Sequence, residues 1–440
     1  MGEGPAVVSQ PGMGDAAVYA METQNEAPPA KTCKAWCLSY FWEGQQLGDS
    51  AQEKKMDPNA SFFTRHRRLL SMVIPGLIAH IIWWSIMIAN DLWHIFTEES
   101  GKKMIPNWYM CITMVFGSMI AGATSEGGAS IAFPVMTLVF DIAPAVARDF
   151  SFMIQSAGMT AAATTIGLMG VAVEKHALFY CTLSGVAGII FGLEEVAPRL
   201  EPPQSKMYFV SIWFAFAFSL YWLNRMHGRR VHSSIPEWEL GRINLPFGLH
   251  INWKACALLT AGFIGGIFSA MAGSGIDICS FAVLTLFFRV SEKVATPTSV
   301  VLMACNTVVG FLYREFGMGG VKEDAWGFFT VCVPIVVIGA PLGSLIGSHF
   351  HRLVLASFVY VTDTVQLIGA LYVVQPWTTT KTDTPLSLSI TSACIIIFGA
   401  IFFRWFALMG QRQLAAFEER ERAAAKRAAG VVPSYTHTST

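Results

Sequence analysis

Charge is scarce in this chain: Asp, Glu, Lys and Arg make up 14% of its 440 residues, against 53% for the hydrophobic types. With a mean hydropathy of +0.48, so little charge excludes an ordinary soluble domain and places the chain in a bilayer. Neither sign dominates, since 30 basic residues balance 30 acidic ones. The basic residues gather in short connections and at the C-terminus, so no nucleic-acid footprint forms and nucleic acid is not expected as a partner. A disulfide framework is also missing. Most of the 9 cysteines fall inside apolar segments, where a thiol behaves as a small hydrophobe, and Cys33 and Cys37 fit no specific metal site and read as two free thiols. The first twenty residues lack a basic stretch followed by an apolar core, so no cleaved signal peptide is expected. No nucleotide-binding loop, zinc signature or nucleophile elbow occurs. His80, His94 and His176 have no metal-like spacing and read as packing or interface residues. These absences predict no enzymatic step, no cofactor and no metal.

What remains is long apolar segments. A hydrocarbon core of ~30 Å needs ~20 helical residues, and runs of that length lie at about 70–96, 146–170, 176–193, 206–224, 293–314, 324–350, 351–376 and 384–408. Two more stretches, 108–140 and 252–289, are interrupted at Ser125-Glu126-Gly127-Gly128 and Gly273-Ser274-Gly275. At about 1.5 Å per residue the first would make a helix of ~50 Å, too long for one span. Each is expected to fold back as a helical hairpin with its tip inside the protein, because irregular backbone at membrane depth survives only when buried or lining a cavity.

The two interruptions are copies. Residues 117–151 align without a gap on 265–299, an offset of 148, with Gly117/Gly265, Gly127/Gly275, Phe133/Phe281, Val135/Val283, Thr137/Thr285, Leu138/Leu286, Phe140/Phe288, Val146/Val294, Ala147/Ala295 and Ser151/Ser299 identical. Duplicated, broken membrane segments mark secondary transporters, whose site forms where the broken helices meet. Arg65, His66, Arg67 and Arg68 before the first span and Arg225, Arg229, Arg230 and Arg242 in the central loop predict that both are cytoplasmic. That holds only if each hairpin returns to its own side. Three spans then separate hairpins of opposite direction, so the repeats are inverted.

The expected fold is thus an all-α polytopic membrane protein with two inverted repeats, each a glycine-broken re-entrant hairpin plus three spans, and extra first and last spans. Its organisation reads as a disordered extension (1–64), a first span with external loop (65–107), repeat 1 (108–224), a basic cytoplasmic loop (225–251), repeat 2 (252–376), a last span (377–408) and a cytoplasmic C-terminal helix and tail (409–440), the helix covering Gln411 to Arg427. Both termini are expected to be cytoplasmic, and the plasma membrane is favoured over an internal one. The sequence specifies no oligomeric state.

Past each tip the chain resumes as a helix, from about Ala129 and Ile276, whose free N–H groups and positive dipole end suit an anion without any lysine or arginine. Gly127, Gly128 and Gly275 permit close backbone approach, or merely let helices pack. The run Gly127-Gly128-Ala129-Ser130-Ile131-Ala132-Phe133-Pro134 with Ala147 and Ser151, echoed by Gly273-Ser274-Gly275 with Ala295-Thr296-Pro297-Thr298-Ser299, resembles the TauE/SafE family of sulfite and organosulfonate exporters over roughly 70–408. The resemblance implies a carrier for a small sulfur oxyanion, usually outward, with Ser125, Gly127, Gly128, Ala129, Ser274, Gly275 and Ile276 at the substrate. It makes Ser151, Thr298 and Ser299 hydroxyl donors by position, against the plainer role of capping a helix start.

The chain departs from the family pattern at Glu126, at Asp277 and at Arg148-Asp149. Acidic groups at membrane depth are functional candidates by default, so Glu126 and Asp277 are expected to couple transport to protons, to hold a monovalent cation, or to meet the ammonium of a zwitterion such as taurine. Arg148 either gates the path or pairs with Asp149 or Asp141. Gln155, Asn306, Thr307 and Asp363 either line the path or hydrogen-bond between helices. The function read from these residues is export of sulfite or an organosulfonate by alternating access, with an anion channel and a carrier of another small anion or zwitterion as rivals.

Overall fold

The computed structural model describes residues 41, 66–101, 103–124, 126–224, 232–236, 238, 242–244, 250–378 and 386–428. The expected extension 1–64, apart from Phe41, lies outside the described residues, as do Ser125, most of the basic central loop and the C-terminal tail. Twelve helices are described: α1 (Arg67–Ala89), α2 (Tyr109–Ala123), α3 (Ala129–Pro134), α4 (Pro144–Met169), α5 (Lys175–Phe191), α6 (Pro202–Asn224), α7 (Trp253–Ala272), α8 (Ile276–Ala282), α9 (Glu292–Leu312), α10 (Glu323–His349), α11 (Arg352–Val374) and α12 (Ser387–Ala428). Two short antiparallel ribbons, Glu99–Ser100 with Ile105–Pro106 and Arg242–Asn244 with His250–Asn252, close connections between them.

Local chemistry sets the helix ends. Pro144 occupies the first turn of α4, where its missing N–H costs nothing, and Gly170 ends the helix in the left-handed region. Glu174, Asn252 and Ser291 cap α5, α7 and α9 by accepting the amides of His176, Lys254 and Lys293.

Seven helices combine the length and apolarity needed to cross a bilayer: α1, α5, α7 and α9 to α12. Two expected spans fall outside that set. The first, α4, has 26 residues but carries Arg148, Asp149, Ser151 and Gln155, and 15 of its residues are buried in protein, so lipid does not dictate its composition. In α6, 23 residues long, polar residues at both ends shorten the apolar stretch. The first span stops at Ala89, where Asp91 turns left-handed before a 3₁₀ turn at Leu92–Phe96, short of the expected 96. Conversely, the expected last span and the expected helix 411–427 are one continuous helix, α12, of 42 residues.

Both interrupted stretches close on themselves. The rings of Tyr109 and Phe140 lie 6.4 Å apart at the open end of the first, and those of Trp253 and Phe288 lie 6.1 Å apart at the open end of the second. The returning limbs end alike: α3 runs into a π-turn at Val135–Val139 and α8 into one at Val283–Phe287. Asp141 and Arg289 follow at φ 56 and 57, and Ile142 N donates to Met136 O at 2.9 Å where Val290 N donates to Leu284 O at 2.8 Å. The π-turns, the left-handed residues and the returning amides stand 148 positions apart, so the duplication read in the sequence is a duplication of backbone conformation in the returning limbs.

Glycine decides which helices lie in contact. Along α2 and α10, a Cβ on Gly122 would overlap the carbonyl of Ala340, and one on Gly343 that of Met119; along α5 and α7, a Cβ on Gly188 would overlap the carbonyl of Phe263, and one on Gly266 that of Gly185. Small residues let these backbones touch, the usual route to tight helix association in lipid.

Candidate substrate and coupling site

At the first tip α2 ends at Ala123, Thr124 turns extended, and Gly127 takes φ 72 before α3 begins. At the second, Gly273 takes φ 88 between α7 and α8. Space as well as φ demands glycine. A Cβ on Gly127 would lie 2.6 Å from both Gln155 Oε1 and Met303 Sδ, and one on Gly273 would overlap Ser151 Cβ. Gln155 of α4 and Met303 of α9 are themselves 148 apart, so equivalent points of the two central helices flank the tips.

The two tips touch. Ser274 Oγ donates to the carbonyl of Glu126 at 3.1 Å, and Gln155 Nε2 donates to Gly273 O at 2.6 Å and to Ser151 O at 3.1 Å. Glu126, Gly127, Gly128, Ala129, Ser151, Ser274, Gly275, Ile276, Asp277, Thr298 and Ser299 are all buried, so the described residues expected at the site are brought into the protein interior. They do not all aim at one point.

The expected hydroxyl donors are spent on their own helices. Ser151 donates to Ala147 O at 2.7 Å, Thr298 to Val294 O at 2.6 Å and Ser299 to Thr296 O at 2.8 Å. Thr298 also accepts the amide of Glu174 at 2.9 Å, which ties it to the connection between α4 and α5 rather than to a tip. In this structure the proton of each of the three is given to its own helix.

The tips differ in how their donors are used. At the second, Asp277 Oδ1 accepts Gly275 N at 2.7 Å, Asp277 Oδ2 accepts Ser274 Oγ at 2.6 Å, and Ser269 Oγ accepts Ile276 N at 3.1 Å. An acidic side chain thus already accepts from the turn's donors, and Asp277, expected to couple, is tied into the turn. At the first tip no described residue accepts from the amides of Gly128, Ala129 or Ser130. The open donors are therefore on one side only.

Beside that open tip, both carboxyl oxygens of Glu126 lack a hydrogen-bond partner among the described residues, as do both of Asp363 on α11, and the two carboxyl groups are close enough to interact electrostatically. Gln366, one turn further along α11, donates from Nε2 to Ser130 O at 2.9 Å. The sequence reading placed Asp363 along the path and passed over Gln366. Two polar residues at i and i+3 in an otherwise apolar helix share a face, and that spacing was the signal available.

Arg148 does not stand alone. Its Nε and Nη2 donate to Asp149 Oδ1 at 3.1 and 2.9 Å, while Arg314 donates from Nε to Oδ1 at 3.0 Å and from Nη2 to Oδ2 at 2.9 Å. Two guanidinium groups thus enclose one fully buried carboxylate, joining α4 to the π-turn after α9. Arg314 escaped the sequence reading, because nothing in the chain links it to a residue 165 positions away.

At the opposite end of the same helices lies a cavity of about 220 Å³, lined mostly by apolar side chains, with Met169, Lys293 and Leu355 in its lining. Its lining reaches Gly122 and Thr124, two residues from Glu126.

Among known families, the model of the sulfite exporter TauE/SafE matches residues 109–368, from the start of α2 into α11 and so across both tips. No curated relative and no solved structure matches the chain. The matched region holds the touching glycine-bent tips, both central helices and Asp363, and it extends over more than half of the sequence: this chain belongs to the TauE/SafE sulfite exporter family, which are multi-pass membrane transporters and not enzymes.

Proposed function

We propose that the protein exports sulfite or a small organosulfonate by alternating access, with the oxyanion held on the amides of Gly128, Ala129 and Ser130. The observation that carries this reading is the asymmetry of the tips: one set of helix-start amides is filled by Asp277, and its counterpart meets no acceptor among the described residues. Backbone donors at a helix start bind oxyanions without a mobile cation.

The hairpins are re-entrant in this reading, and the repeats are inverted. Supporting this, each broken segment closes at its own open end, and α4, α5 and α6 intervene, an odd number of crossings. The cavity, the start of α1 and the central loop then face the cytoplasm together with both termini, and the Arg148–Asp149–Arg314 cluster lies toward the outside. The plasma membrane remains the favoured location.

Purified protein in vesicles should take up labelled sulfite saturably, faster with an imposed pH gradient than without. Flux that rises linearly without saturating would identify a channel instead. Taurine supplied as competitor should be weaker than sulfite, and the reverse order would move the substrate class to zwitterions. No movement of any sulfur anion would end the substrate assignment.

A further inference from the structure

Three carboxyl groups reach the centre of the molecule, and their surroundings divide them. Asp277 accepts a backbone amide at 2.7 Å and a hydroxyl at 2.6 Å, enough to sustain a buried anion. Glu126 and Asp363 are likewise 0% exposed, yet no donor from any other described group reaches their four oxygens. They face each other instead. An ionised carboxylate is acceptor-only, so a carboxyl-to-carboxyl hydrogen bond needs a proton on one partner. Two like charges in contact at a dry site do not both persist.

We propose that Glu126 and Asp363 share a single proton and together form the proton-binding site of this transporter, with Asp277 a fixed capping anion. The proposal rests on the transporter reading above and narrows its coupling to one residue pair. Gln366 adds a second, independent sign. It is 9% exposed, its Oε1 has no partner, and its Nε2 already holds Ser130 O, so α11 grips the first tip at two neighbouring points. The charged groups recorded against the pair are each other and Asp277 on the opposite tip.

Loss of the proton converts one of these grips into repulsion between two anions. The first tip then separates from α11, next to the open amides at Gly128 to Ser130. A proton at the pair and an anion at the amides thereby act on the same short segment, which is what obligatory coupling requires.

Infrared difference spectroscopy on the purified full-length protein tests the pair without reference to any substrate. The wild type should show the stretch of a buried protonated carboxyl that titrates as one group. Glu126→Gln and Asp363→Asn should each abolish it, and Asp277→Asn should leave it in place. In vesicles, sulfite-driven proton movement should fall to zero in Asp363→Asn. A band that survives both Glu126→Gln and Asp363→Asn overturns the proposal, as does a wild type whose spectrum responds to sodium and not to pH. If no anion is carried but the band behaves as described, the failure lies with the substrate and not with the proton site.

Discussion

Asp149→Ala is expected to destabilise the protein by about 3–5 kcal/mol, the cost of leaving buried charge without its partner. Two guanidinium groups converge on this carboxylate at 2.9 to 3.1 Å, and the side chains of Arg148 and Arg314 are only 12% and 8% exposed. Removing the single anion leaves two cations facing each other at the meeting of α4 and the end of α9. The amide of Lys322, which donates to Asp149 Oδ2 at 3.3 Å, is freed as well. Replacing all three side chains by apolar residues of similar volume should recover much of the loss, because the attraction within a buried cluster mainly offsets its own desolvation. Denaturation in mixed micelles measures both variants. An Asp149→Ala protein within about 1 kcal/mol of wild type, well under the expected cost, would mean that water reaches the cluster.

Gly266→Leu should be at least as damaging, with a loss of about 3 kcal/mol or more and little folded protein recovered. Even a Cβ at Gly266 would overlap the carbonyl of Gly185 and stand 2.8 Å from Ile189 N. These are backbone atoms in the middle of α5 and cannot rotate aside, so α5 and α7 would have to separate along their length. Gly122→Leu should behave alike, since a Cβ there would overlap Ala340 O and lie 2.9 Å from Ser344 N. Gly167 and Gly369 supply the contrast, because a Cβ at either would meet nothing within 4 Å. Alanine there should be neutral or stabilise by roughly 0.5–1 kcal/mol, the ordinary difference between the two residues in a helix. Monomer thermal stability in detergent separates the two groups, and equal effects at Gly266 and Gly167 would remove glycine contact as the organising principle.

Much of this architecture could be read from the chain because glycine and repetition leave marks that survive translation into structure. Gly127 and Gly275 located both tips, and the offset of 148 carried over to the π-turns, the left-handed residues after them and the contact between Ser274 and Glu126. Span boundaries were less legible, for identifiable reasons. The Ala-, Glu- and Arg-rich stretch after Gly410 contains good helix formers and no breaker as far as Ala428, so α12 leaves the apolar region without ceasing to be a helix. Leaving lipid and ending a helix are separate events, and composition reports only the first.

The site was legible as a place and not as a network. Glycine and acidic residues at Glu126 and Asp277 announced it, but partner choice depends on three-dimensional contact. Asp277 lies two residues from the amide it caps, and Glu126 faces a carboxyl more than two hundred positions away. Nothing in either local sequence distinguishes these fates. The partners of the Ser151, Thr298 and Ser299 hydroxyls were hidden for a related reason: in a helix the carbonyl one turn back is within reach, and here it takes the proton.

The glycine contacts also determine what can move. Helix α2 of the first copy is held against α10 of the second, and α7 of the second copy against α5 of the first, so each copy holds a piece of the other. Backbones meshed this closely do not slide. In the proposed alternating-access cycle, α2 would travel together with α10 and α7 together with α5, as composites assembled across the duplication boundary.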